Sequence, residues 1–342
     1  MTNGGGASEA KKAQQLSGWL GVEVLPSQVI LSHTPMRDLV PELAQQPVLV
    51  SGRGDVLQVA REYGFQRVLH TRELGRAMPA ATPFSRYPPD DRASGSGAPG
   101  PSPATSQGAA QGTAPAPVPS SPPSPCPVRD LGLGTDAHPI NTVLVMTDPD
   151  DWYRDCQLII DVLTGAGVPS RTPAAAAAVG APAVKLVFSN PDLLWANEFP
   201  KNRFGQGAFS HMVLSLYSRL TGGSRPHLVT HLGKPNPQPY RLAERMLVAE
   251  AQRLGLPLPQ GLPPGALPFS GIYAVGDNPA ADVRGANQAG APWVSVLVRT
   301  GVFQGPGSNC DVDCARIAVD DVADAVAAAL HRTRSMRWHA MR

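Results

Sequence analysis

The sequence predicts an α/β fold organised on a doubly wound parallel sheet, and three observations carry the prediction. Short apolar runs alternate with amphipathic helical stretches along the 342 residues, the order that builds βα units and parallel strands. Turns rich in Gly, Pro, Asn and Asp follow the carboxyl ends of these runs, at the edge where open α/β sheets bind their ligands. Long Pro, Ala, Gly and Ser stretches fall between elements, as insertions into surface loops do.

Composition narrows the function classes. A chain of this length can form two domains and bury a substantial core. With 29 basic and 27 acidic residues it lacks the charge excess of a nucleic-acid or membrane-surface binder. No apolar run approaches the roughly 20 residues that span a bilayer. Cys126, Cys156, Cys310 and Cys314 form no CxxC pair, and no histidine accompanies the last two. They read as reduced thiols in an intracellular compartment, not as disulfides or a zinc site. The opening MTNGGGASEAKKAQQL has neither the apolar core of a secretory signal nor the arginine-rich, acid-poor character of a transit peptide.

In chain order, Thr2-Asn3-Gly4-Gly5-Gly6 forms a glycine turn. Ala13, Leu16 and Leu20 then give one apolar face to a helix over residues 8–20, which stops at Gly21. Such a turn should be fed by a strand, and none precedes it in the sequence. Residues 29–31 read as a short strand and 36–43 as a short helix. Apolar residues 47–50, the turn Ser51-Gly52-Arg53-Gly54 and a helix over 55–63 make a βα unit with Asp55 as N-cap. That turn could cradle a phosphate, but a lone glycine pair favours a plain tight turn. Residues 87–138 hold too little apolar surface to offset the entropy of ordering, so they read as a disordered insertion, a solvated linker more than a Pro-rich docking ligand.

Residues 142–146 read as a strand, Asp148-Pro149-Asp150-Asp151 as a helix-capping turn, and Trp152, Cys156, Ile159, Ile160 and Leu163 as the buried face of the helix that follows. An alanine-rich loop over 170–182 leads into a strand at 184–188 and a long polar loop. The rest reads as helix 209–220, strand 228–232, a helix to 254, strands 272–275 and 293–298, and a closing helix over 321–331.

The chemistry gathers at strand ends. Residues 272–275 run into Gly276-Asp277-Asn278-Pro279, which puts Asp277 at the carboxyl edge of the sheet and Asp282 one turn into the next helix. Mg²⁺ takes oxygen from one or two carboxylates and leaves the rest of its shell to water and phosphate. Asp277 is therefore the candidate ligand and Asp282 the residue that orients it. Taken alone, the motif is equally a strand-turn-helix with an N-cap aspartate. Asn190 and Asp192 follow the strand at 184–188, and Lys234 follows 228–232, where a solvated lysine is the plainer reading. Together with Thr2, this ordered set supplies a hydroxyl, an ammonium and metal-binding carboxylates, the groups that clamp a phosphoryl.

TNGGG resembles the second motif of the haloacid dehalogenase superfamily of phosphohydrolases, HLGKP the third and VGDNPAADVRGANQAG the fourth. The segments SHTPMR, GRGDVLQVAREYGF, DPDDWYRDCQLIIDVL, NPDLLWANEFPKNRFGQGAF and LVRTGVF look like the haloacid dehalogenase-like hydrolase domain-containing 5 family, also called the cat eye syndrome critical region protein 5 family. That family belongs to the subclass (class IIA) with a large α/β cap. The resemblance implies a Rossmann-like doubly wound core made of residues 1–43 and 189–342, and an inserted α/β cap domain over 44–188 that carries both low-complexity segments. It implies that Thr2 and Lys234 act in catalysis, that Asn3, Gly4, Asn190 and Asp192 hold substrate, and that Asp277 and Asp282 bind Mg²⁺. The implied partner is a small phosphorylated metabolite, with a homo-oligomer left open, a mitochondrial home and a looser link to glycerophospholipid metabolism.

One departure stands against that pattern. The superfamily's first motif is a DxD pair on a strand ahead of the threonine turn, one aspartate attacking phosphorus and the other serving as general acid and base. The sequence starts one residue before that threonine, and neither Asp148-Pro149-Asp150 nor Asp311-Val312-Asp313 stands where the pair is needed. Two expectations follow: an upstream strand outside this sequence, or a non-catalytic homologue that keeps the fold. As it stands, residues 1–342 are expected to be inactive and to leave the strands beside the missing one unpaired along their edges. A phospho-acceptor receiver domain is set aside, because it too needs an aspartate before the threonine.

Overall fold

The structure, a computed structural model, describes residues 1–87, 132–180, 182–259, 261–307, 309 and 312–340. Helix α1 (Glu9–Leu20) begins where the Ser8 hydroxyl accepts the Lys11 N–H and ends at Gly21, left-handed at φ 67°. Residues 29–31, expected as a strand, join none of the three sheets. They meet the start of the chain through Thr2 N to Ile30 O at 2.9 Å, too short a pairing to make a ladder. The helix expected over 36–43 is a 3₁₀ turn, Thr34–Leu39, that tightens into Val40–Leu43, with prolines at 35 and 41 withholding amide donors.

The first sheet is built from β1 (Val48–Ser51), α2 (Val56–Tyr63), β2 (Val68–His70), α3 (Thr71–Ala77), β3 (Thr142–Val145), α4 (Trp152–Thr164) and β4 (Lys185–Phe188). An antiparallel hairpin, β5 (Leu194–Trp195) and β6 (Arg203–Phe204), precedes α5 (Gln206–Leu220) and β7 (Leu228–His231). The five long strands are parallel in the order β2-β1-β3-β4-β7. Alternate side chains face opposite layers, as a strand's period of two requires. Leu49, Val143, Val145, Leu186 and Phe188 pack on α4 and α5, whereas Val48, Val50, Leu144 and Val187 pack on α2 and Met36.

The boundary expected at residue 188 cuts through this sheet. β7 extends the ladder past β4, with Lys185 opposite Leu228 and Phe188 opposite His231, so the unit that starts at β1 runs to 231. The alanine-rich loop expected over 170–182 contains the helix Pro173–Val179, because Ala is the strongest helix former and the Thr172 hydroxyl caps its start on Ala175 N. Of the insertion expected over 87–138, residues 88–131 lie outside the described residues. Residues 132–138 fold back through Gly134 N to His138 O and bury Leu133 in the core. Asp151 caps α4 by accepting the Arg154 N–H at 2.9 Å. Asp55 stands at the N-cap position of α2, but its carboxylate takes Lys11 instead, at 2.9 Å.

The second sheet is also parallel, with order β10-β9-β8. Helix α6 (Pro237–Arg253) sets Tyr240 and Ala243 against Ile272 of β8 (Ile272–Gly276) and Trp293 of β9 (Trp293–Val298). Ala325 of the closing helix Val322–Ala340 packs on Val296 and Val298 beside β10 (Ile317–Val319). Among the described residues, β8 pairs with β9 alone. A trough of about 630 Å³ is lined by Ile30, Tyr240, Met246 and Phe269 together with Ala274 of β8. Among the described residues, no helix is long and apolar enough to cross a membrane.

Candidate phosphate and metal site

Both sheets end on one cavity of about 830 Å³, lined by Thr2, Asn3, Gly4, Asn190, Asp192, Lys234, Asp277 and Asp282. All the site residues expected from the sequence therefore meet there, brought from loops far apart in the chain.

The floor is the glycine turn. Gly4 O accepts the Ser32 N–H at 3.0 Å and Gly6 O accepts the Asp55 N–H at 2.9 Å, which pins the turn from two sides. A Cβ on Gly5 would lie 2.7 Å from Ser32 Oγ, and one on Gly54, at φ 74°, would lie 2.2 Å from Gly6 O. Only glycine permits that approach of backbone to backbone. Thr2 Oγ1 accepts the Gly4 N–H at 3.0 Å, and its own hydrogen stays available to donate.

Asn3 and Asn190 act as braces. Asn3 Nδ2 donates to Asp192 Oδ1 at 3.0 Å and to Lys234 O at 3.1 Å, while its Oδ1 accepts Lys234 N–H at 3.0 Å. Asn190 Nδ2 donates to Asn3 O at 3.0 Å, and the Asn190 backbone N–H goes to the buried Gln206 Oε1. These amides, expected to hold substrate, spend their hydrogen bonds on fixing the turn relative to Lys234.

Burial pushes the Asp192 carboxyl up to about 6, with Asp282 and Asp148 adding to the rise while Asn3 and Lys234 oppose it. The folded state thus keeps a proton that the unfolded chain releases near pH 4, and stability falls as pH climbs from about 4 to about 6. The loss is about 2–3 kcal/mol and is constant above that window. Asp192→Asn keeps the acceptor for Asn3 without the charge. It is expected to unfold at higher urea than the parent at pH 7.5, with the difference closing towards pH 4. Equal midpoints at pH 7.5 would show that the carboxyl ionises in its ordinary range.

Lys234 Nζ pairs with Asp282 Oδ1, and both side chains are about nine-tenths buried. Asp282 Oδ2 accepts the Asn278 N–H at 3.1 Å, and the carboxylate lies so close to Gly276 that a Cβ there would be 2.1 Å from Asp282 Cγ. The sequence places Asp282 as the orienter of Asp277; its carboxylate is directed instead to Lys234. Asp277 is held from the turn after β9, its Oδ2 accepting the Val302 N–H at 2.7 Å and its carbonyl the Phe303 N–H at 3.0 Å. Asn278, not Asp277, caps the next turn, through Ala280 N at 3.1 Å. Among the described residues no group of three or more His, Cys, Asp or Glu is arranged to hold a metal ion. A hard cation that takes one or two carboxylates and completes its shell with phosphate and water fits Asp277 without such a cluster.

Arg53, Asp148, Trp195 and Asn197 also line the cavity. The first two sit in turns that sequence reasoning favours as a plain tight turn, with a phosphate cradle as the weaker alternative for Arg53, and as a helix-capping turn for Asp148. Their backbones join at Arg53 N to Asp148 O, 3.1 Å, and the guanidinium stands 3.7 Å from the carboxylate. Below them, the fully buried Asp155 accepts from Ser51 Oγ at 2.6 Å, Thr71 Oγ1 at 2.8 Å and Arg154 Nε at 2.8 Å. His70 Nδ1 accepts the Arg72 N–H, so its Nε2–H donates to Gly52 O at 2.9 Å and ties down the turn that carries Arg53.

Comparison with known proteins gives the family. Residues 1–66 match the family described as haloacid dehalogenase-like hydrolase, and residues 231–329 match a second one described as HAD-hydrolase-like. A mitochondrial hydrolase of Saccharomyces cerevisiae is 34% identical over 341 residues, covering 97% of this chain and 85% of that protein. A cardiolipin synthase (CMP-forming)/mitochondrial hydrolase fusion protein of Schizosaccharomyces pombe is 31% identical over 308 residues, 90% of this chain and 43% of the fusion. In fold, a hypothetical protein from Pyrococcus horikoshii superposes with a TM-score of 0.54 at 14% identity, over 95% of this chain and 84% of that one. Bs-TpNPPase does so with a TM-score of 0.50 at 16% identity, over 94% and 84%. With a relative above 30% identity along almost its whole length, the chain belongs to the haloacid dehalogenase-like hydrolase family.

Proposed function

We propose that the cavity is the phosphate- and Mg²⁺-binding part of a phosphohydrolase for a small phosphorylated metabolite. The observation that carries the reading is the meeting of Thr2, Lys234 and Asp277, from three remote segments, in one cavity at the carboxyl ends of two parallel sheets. Amides of the glycine turn and the Thr2 hydroxyl would donate to phosphoryl oxygens, Lys234 would neutralise their charge, and Asp282 would keep the ammonium in place. Asp277 would hold Mg²⁺, which when bound supplies further charge neutralisation. Residues 48–231, with Arg53, Asp148 and Trp195 at the rim, would form the cap that selects the organic part of the substrate.

The mitochondrial names of both relatives, one of them fused to a cardiolipin synthase, support a mitochondrial setting and a substrate from glycerophospholipid metabolism. A second reading, a binding protein without catalysis, is favoured by one observation: Lys234 is already paired with Asp282.

Calorimetric titration with inorganic phosphate, with and without Mg²⁺, tests the site. Phosphate is expected to bind more tightly when Mg²⁺ is present, and Asp277→Asn to remove that gain of about tenfold or more. An unchanged gain in Asp277→Asn overturns the metal assignment. Hydrolysis of p-nitrophenyl phosphate after a DxD-bearing strand is supplied separates the hydrolase from the binding protein.

A further inference from the structure

We propose that Glu9 is a positioning residue: its buried carboxylate ties together the two walls that grip residues 4–6, so that anion binding at the glycine turn depends on it. The proposal rests on the reading of that turn as a phosphate site. One wall is Ser32 with His33, which bonds Gly4 O and packs on Gly5; the other is Gly54 with Asp55, which packs on Gly6 and bonds its carbonyl.

Glu9 opens α1, three residues beyond Gly6, and is 5% exposed. Its Oε1 accepts from Thr34 Oγ1 at 2.7 Å and from Tyr63 OH at 2.6 Å, and its Oε2 accepts from Arg37 NH2 at 3.1 Å. Thr34 and Arg37 belong to the 3₁₀ turn that continues directly from Ser32 and His33. Tyr63 is the last residue of α2, the helix that Gly54 and Asp55 lead into. One carboxylate therefore holds the far end of each wall.

The proton inventory closes the cluster. Tyr63 has a single hydroxyl hydrogen, and the carboxylate takes it. His33 Nδ1, 2.7 Å from the same oxygen, must therefore be the donor in that contact. The Arg37 guanidinium lies 4.5 Å over the Tyr63 ring, joining the two walls a second time. Burial alone would push the Glu9 carboxyl up, but the hydroxyls of Tyr63 and Thr34, a backbone N–H and the Arg37 charge together outweigh it and leave the group below its ordinary range, a carboxylate at neutral pH.

Glu9→Gln keeps the shape but puts an amide N–H where a donor points, so at least one grip is lost. Two measurements on the whole chain test the proposal, with Val59→Ala in the buried face of α2 as a control for general destabilisation. Amide hydrogen exchange at residues 4–7 is expected to quicken about tenfold or more in Glu9→Gln, and less in Val59→Ala at matched thermal stability. The dissociation constant for inorganic phosphate is expected to rise by a similar factor, with Tyr63→Phe intermediate. Unchanged exchange in Glu9→Gln, or equal quickening in the control, overturns the proposal. If the parent does not bind phosphate, the phosphate reading falls by itself, and the exchange data still decide whether Glu9 positions the turn.

Discussion

Replacing Lys234 by Met is expected to weaken both the fold and the anion site, by amounts that a second substitution separates. Removing one partner of a buried ion pair strands the other, at a cost of about 3–5 kcal/mol. The Lys234 and Asp282 side chains are 10% and 9% exposed, and Asp282 would lose its side-chain partner and keep the hydrogen bond from the Asn278 N–H. Adding Asp282→Asn removes the stranded charge, so the double variant should regain most of the stability in urea denaturation. It should not regain phosphate affinity. Loss of a charge-assisted hydrogen bond of about 1.5–3 kcal/mol corresponds to roughly 10- to 100-fold in the dissociation constant. A Lys234→Met chain that stays as stable as its parent would mean the pair contributes nothing. One that binds phosphate undiminished would remove Lys234 from the site.

Asp155→Ala should produce the largest loss of stability without touching the cavity wall. Arg154 is 2% exposed, and Asp155 is the buried partner that balances it; Ser51 and Thr71 also donate to the same carboxylate. The expected cost is about 3–5 kcal/mol, equivalent to a fall of roughly 10 °C in melting temperature for a unit of this size. Neutralising the stranded guanidinium as well, with Arg154→Met, should return part of it, although Asp150 would lose its own bond to Arg154. Thermal unfolding of the two variants decides. A single variant within a degree or two of the parent would show that water enters and solvates Arg154.

Continuous apolar runs closed by turn residues made most of the sheet legible, because a strand buried on both faces needs no alternation to be recognised. That signal located β1, β3, β4, β7, β8 and β9. It could not reveal β2 and β10, three residues each, or the two-residue hairpin strands at 194 and 203, which are too short to show any period. The alanine run was treated as loop on composition, yet Thr172 and Pro173 ahead of it are a helix start, and local propensity won. The boundary at 188 failed for a different reason: which sheet a strand joins depends on a partner chain segment, and no residue of Leu228–His231 encodes that partner.

The strand-end rule collected Thr2, Asn190, Asp192, Lys234, Asp277 and Asp282 into one cavity without knowledge of their contacts. What each does there was less legible. Asn3 and Asn190 are occupied by backbone, and Asp282 by an ammonium, because a side chain within reach of a neighbouring loop bonds to it before it bonds to solvent. Arg53 and Asp148 escaped notice since their place at the rim follows from where two turns meet.

The seat of the cavity is main chain laid on main chain, residue 54 against residue 6. A side chain at residue 54 would meet the Gly6 carbonyl at once, so this contact tolerates no gradual adjustment: it is kept whole or broken. The rim of Arg53, Asp148, Trp195 and Asn197 presents side chains instead, so its shape and charge can change residue by residue while the backbone seat beneath stays as it is.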